Sequence, residues 1–144
     1  MGRRNGDFMT RTIAREWLLK LIFEAEFQKE LTAEEIYESA REFEDFEDDD
    51  YVKEALSGIF AHKDELDAEI GRHAHGWSVS RISRLSLSIM RICVYEMKYM
   101  LDIPMSVSMD VAVELAKKYD NAETAPAFIN GIVNAVSKTL DRAE

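Results

Sequence analysis

The sequence predicts an all-α fold of about seven helices, and three observations point to it. Two prolines and six glycines among 144 residues leave little room for loops or tight turns. Residues that favour helix, chiefly Leu, Ala, Glu, Lys, Arg and Met, dominate the long segments. No segment alternates apolar and polar residues for long enough to indicate a strand. The 47% of hydrophobic residues is ample for a core, in one domain or in two small bundles that share it.

A first helix is predicted over residues 10–28, where apolar residues recur every four positions from Ile13 to Ala25. Thr32 and Glu35 form a capping-box signature, which begins a second helix that runs to about residue 43. The acidic stretch that follows is expected to be a solvated connector. Its last aspartates lie favourably at the positive end of the next helix.

A third helix is predicted over residues 52–70, with a bend near His62, and a glycine-bracketed break follows at residues 71–77. Residues 1–76 carry ten basic and twenty acidic side chains, whereas residues 77–144 carry eight of each. We therefore predict one domain made of two packed helical subdomains, residues 10–76 and 77–144, preceded by a flexible tail over residues 1–9.

The second half predicts a short helix over residues 79–84 and a long one over residues 85–101, ended by the proline at 104. Ser106 or Ser108 is expected to cap the next helix, which runs to Tyr119. Thr124 is expected to cap the last helix, which runs to about residue 140 with a proline in its first turn.

The last helix contains the sequence FING, in which Gly131 costs roughly 1 kcal/mol relative to alanine. At 100° per residue, the apolar residues from Ile129 to Leu140 form one buried stripe, with Phe128 and Asn130 at its two edges. Gly131 lies nearly opposite the stripe. We therefore expect another helix, a partner chain or a ligand to approach this face closely.

The composition excludes several classes of protein. A net charge of −10 argues against a broad nucleic-acid footprint but is compatible with a narrow basic patch. No apolar run approaches the roughly 20 residues that span a bilayer, and the first eight residues lack the apolar region of a signal peptide. A cytoplasmic protein without a membrane segment is therefore expected. Cys93 lies in an apolar helical stretch and is expected to be a buried thiol.

Catalysis is not expected either. No pair of carboxylates, Cys/His set or Gly-rich phosphate loop indicates an active site. His62, His73 and His75 are too few and too poorly spaced for a metal centre, so neither a metal nor a cofactor is predicted.

Five short motifs follow one another along the chain: ARE at 14–16, MRICVYEM at 90–97, DIP at 102–104, VAVELAKKY at 111–119 and FINGIV at 128–133. In this order and at these spacings they resemble the NusB family of bacterial transcription antitermination factors. The motifs are individually short, but together they extend over nearly the whole chain. The resemblance implies an all-α fold of two packed helical bundles, with no catalysis and no cofactor.

The resemblance also implies partners. Proteins similar to NusB bind boxA, a short single-stranded RNA element of ribosomal RNA leaders, as a heterodimer with the small ribosomal protein NusE. The complex joins NusA and NusG on RNA polymerase and suppresses premature termination. The sequence leaves open whether the chain forms a homodimer and which surface meets NusE.

In the family, RNA contacts come from an arginine-rich N-terminal segment and from the FxNG block near the C-terminus. Arginine binds phosphate and stacks on bases, phenylalanine stacks, and an asparagine amide can read a base edge. The two lysines of the AKKY sequence are added because they are charged. The predicted RNA-binding residues are Arg11, Arg15, Lys117, Lys118, Phe128 and Asn130.

The chain departs from the family pattern in ways that bear on RNA affinity. The N-terminal segment reads TRTIARE, with Thr12 and Ile13 where cations are common, although Arg3 and Arg4 could compensate. Fewer cations predict weaker phosphate binding and a shallower salt dependence. One alternative is therefore a protein-binding module that uses NusE but binds RNA poorly. For Arg15 the alternative is an exposed helix arginine paired with a nearby glutamate.

Overall fold

The computed structural model describes residues 9–144, so Arg3, Arg4 and all but the last residue of the predicted tail lie outside the described part. Within that part the chain forms seven α-helices, one 3-10 turn and no strand. This confirms the all-α prediction. The contacts divide the chain into two compact units, with the division between Ala61 and His62.

The first unit contains three helices, α1 (Arg11–Ala25), α2 (Ala33–Phe43) and α3 (Asp50–Ala61), and α1 packs against both α2 and α3. The capping box predicted for α2 is present. Ile13, the first residue of the predicted apolar stripe of α1, is instead 46% exposed. The buried residues that form the core of this unit include Leu18, Leu21, Ile36, Ala40, Val52 and Leu56.

The acidic connector between α2 and α3 is not simply solvated, because it is anchored by Phe46. Phe46 is 3% exposed, and its ring centroid lies 5.1 Å from that of Trp17 and 5.3 Å from that of Tyr37. The Tyr37 hydroxyl donates to Asp48 and accepts the Asp49 N–H at 2.9 Å. Burial, together with the hydrogen bond to Asp48, raises the pKa of Tyr37 to about 12. The connector is therefore held against the first unit.

The second unit contains α4 (Lys63–His73), a 3-10 turn (Val79–Arg81), α5 (Arg84–Tyr99), α6 (Met105–Tyr119) and α7 (Ala125–Ser137). The predicted third helix is thus two helices, interrupted where a bend was expected. The division between the units falls at this interruption and not in the glycine-bracketed segment, because α4 packs against α5 and α7.

Helix α5 is the centre of the second unit and contacts α4, α6 and α7. Twelve consecutive residues of α5 are buried, including Cys93, which confirms the expected buried thiol. Arg91 is 3% exposed and donates to both carboxylate oxygens of Asp67 in α4, at 2.7 and 2.8 Å. The buried Glu96 accepts from the Ser108 hydroxyl of α6 at 2.7 Å. The two charged residues of MRICVYEM therefore link α5 to α4 and to α6.

The start of α6 differs from the prediction. Its N-cap residue is Pro104, and Ser106 and Ser108 lie inside the helix. The prediction that one of these serines caps α6 is wrong, and the Ser108 hydroxyl is used in the core instead. The Met105 N–H in the first turn of α6 donates to Glu144 at 2.7 Å.

The C-terminal residues also hold the end of α5. The Arg142 guanidinium donates to the carbonyl oxygens of Met97, Leu101 and Ile103 at 2.8, 3.2 and 2.9 Å. Carbonyls at a helix C-terminus lack intrahelical partners and carry partial negative charge. A guanidinium supplies both the missing hydrogen-bond donors and a compensating positive charge. The Arg142 side chain therefore holds the turn between α5 and α6 in place.

Candidate nucleic-acid interface

Helix α7 carries the FING sequence, and its buried face is the one expected from helical spacing. The predicted stripe residues that lie within the helix are at most 4% exposed. Asn130 and Gly131 are exposed, and Phe128 is half-buried. The outer face of α7 therefore has Phe128 along one edge and Asn130 along the other.

The turn that leads into α7 is held by the side chain of Asn121 and not by that of Thr124. Among the described residues the Thr124 side chain makes no capping hydrogen bond. The Asn121 Oδ1 accepts instead from the N–H groups of Glu123 and Thr124, at 3.0 and 3.3 Å. The prediction of Thr124 as the capping side chain is wrong, whereas Pro126 does lie in the first turn as expected.

A groove of about 530 Å³ runs between α6 and α7, and it brings Lys117 and Asn130 together. Asp110 and Glu114 also line the groove, and Glu114 lies 3.5 Å from the Lys117 ammonium. The groove thus offers one cation, one amide and two carboxylates. Amides and carboxylates suit the donor groups of base edges, while the lysine suits a phosphate. Lys118 is exposed beside Lys117, with its ammonium 5.3 Å from the Tyr119 ring centre, and does not line this groove.

Phe128 has a different set of neighbours. Its ring centroid lies 6.1 Å from that of Trp77, with the ring planes at 70°. The Arg81 guanidinium lies 5.5 Å from the centre of the Trp77 ring. Trp77 and Arg81 were not identified from the sequence. The only signal there was a tryptophan in a polar, glycine-bracketed break, with an arginine four residues later.

Gly131 faces open space. A Cβ atom added to Gly131 would meet no heavy atom of the described residues within 4 Å outside its own helix. The expectation that another helix of this chain approaches Gly131 closely is therefore not met. The expectation that a partner chain or a ligand approaches this face stays a prediction.

The two N-terminal arginines lie in the first unit, near the same aromatic ring. The Arg11 guanidinium is 4.3 Å from the Tyr51 ring centre and that of Arg15 is 5.8 Å from it. Arg11 is exposed, but Arg15 is only 4% exposed. The alternative that Arg15 is an exposed helix arginine is therefore wrong. Arg11 also lines a groove of about 460 Å³ with the aspartates at 48–50, which weaken its attraction for phosphate.

A cluster of charged and aromatic residues, apart from the α6–α7 groove, links α4 to α5. The Glu65 carboxylate lies 2.5 Å from the Lys98 ammonium and accepts from the Tyr99 hydroxyl at 2.6 and 2.8 Å. The hydrogen bonds from Lys98 and then Tyr99 lower the pKa of Glu65 to about 2. The hydrogen bond to Glu65 raises the pKa of Tyr99 to about 12. His62 stacks on the Tyr99 ring at 4.4 Å.

Among residues 9–144 no group of three or more His, Cys, Asp or Glu side chains is placed to hold a metal ion. None of the helices in this part of the chain has the length and apolar character needed to cross a bilayer.

Comparison with known proteins gives the family. The profile of the NusB family matches residues 12–138. The chain belongs to the NusB family. Two curated family members are similar over most of their length, and both are named transcription antitermination protein NusB. The protein of Acetivibrio thermocellus is 39% identical over 131 residues, and that of Ruminiclostridium cellulolyticum is 43% identical over 132 residues. Each match covers 90% of this chain and 90% of the relative.

Solved structures of the family share the fold. NusB of T. maritima superposes with a TM-score of 0.81 at 28% identity, covering 94% of this chain and 96% of that one. A structure described as the antitermination factors NusB and NusE in complex with dsRNA superposes with a TM-score of 0.76 at 25% identity. It covers 92% of this chain and 100% of the matched one.

Proposed function

We propose that this chain is a transcription antitermination factor. In this proposal it binds boxA-type single-stranded RNA of ribosomal RNA leaders together with NusE. The complex acts with NusA and NusG on elongating RNA polymerase, and the chain performs no catalysis. The observation that carries the proposal is the outer face of α7, which is exposed and bordered by Asn130 and Phe128. Family membership, and the solved NusB relative with NusE and RNA, support it.

The two edges of α7 would make different contacts. On one edge, the Asn130 amide and the carboxylates of the α6–α7 groove suit base edges, with Lys117 beside them for a phosphate. On the other edge, Phe128 offers an aromatic ring for stacking. Single-stranded RNA, whose bases are free to turn outward, is the ligand that can use both.

In the first unit, Arg11 is the better candidate for direct contact because it is exposed, whereas Arg15 is buried. We propose that Arg11 binds phosphate or stacks on a base, and that Arg15 supports the Tyr51 ring under it.

The direct test is fluorescence anisotropy of labelled boxA RNA, with and without NusE, at about 50 and 200 mM salt. Scrambled RNA and a duplex of the same length serve as controls, since the solved relative was crystallised with dsRNA. We expect tight, boxA-selective binding when NusE is present. If the complex with NusE prefers boxA neither to scrambled RNA nor to duplex, the proposal is wrong.

Single substitutions distinguish a contact with a phosphate from a contact with a base. Arg11→Ala is expected to reduce the salt slope by about 0.7, the value for one phosphate contact on a single strand. Arg41→Ala is its matched control, because Arg41 is an exposed cation elsewhere in the same unit. Asn130→Ala should weaken boxA binding without changing the slope. Asn134, exposed one turn further along α7, provides the matched control Asn134→Ala.

The carboxylates near Arg11 and in the α6–α7 groove favour a second candidate, a module that binds NusE but not RNA. It predicts a stable complex with NusE whose RNA affinity equals that of NusE by itself. Action on RNA polymerase is tested separately, by transcription through a terminator placed downstream of boxA with NusA, NusG and NusE present. Omitting this chain should lower read-through.

A further inference from the structure

We infer that Trp77 and Arg81 extend the RNA site beyond the FING helix and hold one further unpaired nucleotide, with its base on the Trp77 ring and its phosphate at Arg81. The inference rests on the proposed RNA binding and adds a contact to it.

Trp77 is presented to solvent by a turn of fixed geometry. Gly76 immediately before it has φ of +80°, a backbone conformation that other residues rarely adopt. The Trp77 N–H donates to the Ala74 carbonyl at 2.8 Å. A Cβ on Gly71, near the C-terminal end of α4, would lie 3.1 Å from Val79. The glycine therefore lets the 3-10 turn approach α4 closely. The turn is therefore pre-organised, which reduces the entropy lost when a ligand binds.

Trp77 remains 48% exposed as a residue although its ring lies beside that of Phe128. A tryptophan that served only the core would be covered, because its large apolar surface gains most from burial. About half of the surface of Trp77 is instead accessible to a ligand, next to a residue already predicted to stack on RNA. Successive bases of a single strand stack on successive aromatic rings in this way.

Arg81 adds the charge that an RNA ligand requires. Its guanidinium lies 5.5 Å from the Trp77 ring centre, and its side chain is exposed. An arginine in this position can bind the phosphate of the nucleotide whose base lies on the ring. An apolar peptide would need no cation here, whereas a nucleotide uses both the ring and the charge.

The chain contains two tryptophans, Trp17 and Trp77, which permits an internally controlled experiment. Both are labelled as 5-fluorotryptophan in the full chain, and the two 19F resonances are assigned with Trp17→Phe and Trp77→Phe. Unlabelled NusE is added first and boxA RNA second. We expect the RNA to shift the Trp77 resonance. The Trp17 resonance should change far less, because its ring packs against Phe46 in the first unit.

Affinity gives the second readout. Trp77→Ala should weaken boxA binding by roughly 5- to 150-fold, the range for loss of one stacked base, while Trp77→Phe should stay close to wild type. Arg81→Ala should lower the salt slope by about 0.7. Circular dichroism of each variant checks that the helices are intact.

The outcomes distinguish this inference from the proposed function. If boxA binds selectively while RNA leaves the Trp77 resonance unmoved and Trp77→Ala binds like wild type, the inference is overturned and the proposed function stands. If NusE produces the whole shift and RNA adds none, Trp77 is a protein contact and the inference is again overturned. If no RNA binds at all, the proposed function fails and the inference fails with it.

Discussion

Gly131 offers the sharpest test of the α7 surface, because two opposite effects are expected from one substitution. Gly131→Ala should stabilise the free protein, since alanine is favoured over glycine in a helix interior by about 1 kcal/mol. Nothing in the described structure offsets this gain, because the added Cβ meets no heavy atom within 4 Å outside the helix itself. For a chain of this size, 1 kcal/mol corresponds to a rise in melting temperature of about 2–4 °C.

Thermal and urea unfolding followed by circular dichroism measure the first effect. A melting temperature that is unchanged or lowered would show that the space at Gly131 is not open, and would contradict the predicted stabilisation. Asn134→Ala is the matched control, because Asn134 is also exposed on α7 and alanine raises helix propensity there too.

The second effect concerns binding. If a partner or RNA approaches the Gly131 backbone closely, Gly131→Ala should weaken the assembly with NusE and boxA RNA, and Gly131→Leu should weaken it further. Asn134→Ala should leave the affinity unchanged. An assembly that tolerates Gly131→Leu without loss of affinity would rule out close approach as the reason for the glycine.

Three further predictions concern stability. Asp67→Ala leaves Arg91 buried without its bidentate partner and should lower the free energy of unfolding by about 3–5 kcal/mol in urea titrations, whereas a change below 1 kcal/mol would mean that the pair contributes little. Arg142→Ala removes three hydrogen bonds to carbonyls in the last turn of α5 and in the turn that follows it, and should cost about 1–3 kcal/mol, seen also as faster amide exchange in that turn. The lowered pKa of Glu65 means that its ion pair with Lys98 contributes stability above the ordinary value of 4.5, and that this contribution is lost as the pH falls towards about 2. The difference in melting temperature between wild type and Glu65→Gln should therefore be constant above pH about 5.5 and shrink below 4.5, and a constant difference throughout would contradict the assignment.

The helices that could be predicted from the sequence are those with local signals. The capping box at Thr32 and Glu35, the proline at 104 and the apolar stripe of α7 involve residues within a few positions of one another. Such signals act inside one helix and do not depend on its neighbours. The bend expected near His62 is likewise where α3 and α4 separate.

The failures at Ser108 and Arg15 have the opposite property, because they depend on residues distant in the sequence. Ser106 or Ser108 was expected to cap α6, but neither does, and the Ser108 hydroxyl donates to Glu96 of another helix. Thr124 was expected to cap α7, but its side chain makes no capping hydrogen bond, and the Asn121 side chain instead accepts hydrogen bonds within the turn that precedes the helix. Arg15 looked like a surface arginine, but it is buried. The Ser108 and Arg15 side chains thus contact residues that only packing brings near, whereas Asn121 lies three residues before Thr124.

The fold class, most of the helices, the family and the place of Asn130 at the edge of the apolar stripe could be predicted from the sequence, because helical period and motif order are properties of the chain. Which charged side chains are buried and which face solvent depends on how the helices pack. The tertiary structure placed Arg91 against Asp67, set Arg11 over Tyr51, and brought Trp77 to Phe128. The physical reason is that helical periodicity defines which side of a helix is buried, whereas the residue that lies against that side depends on how distant segments pack.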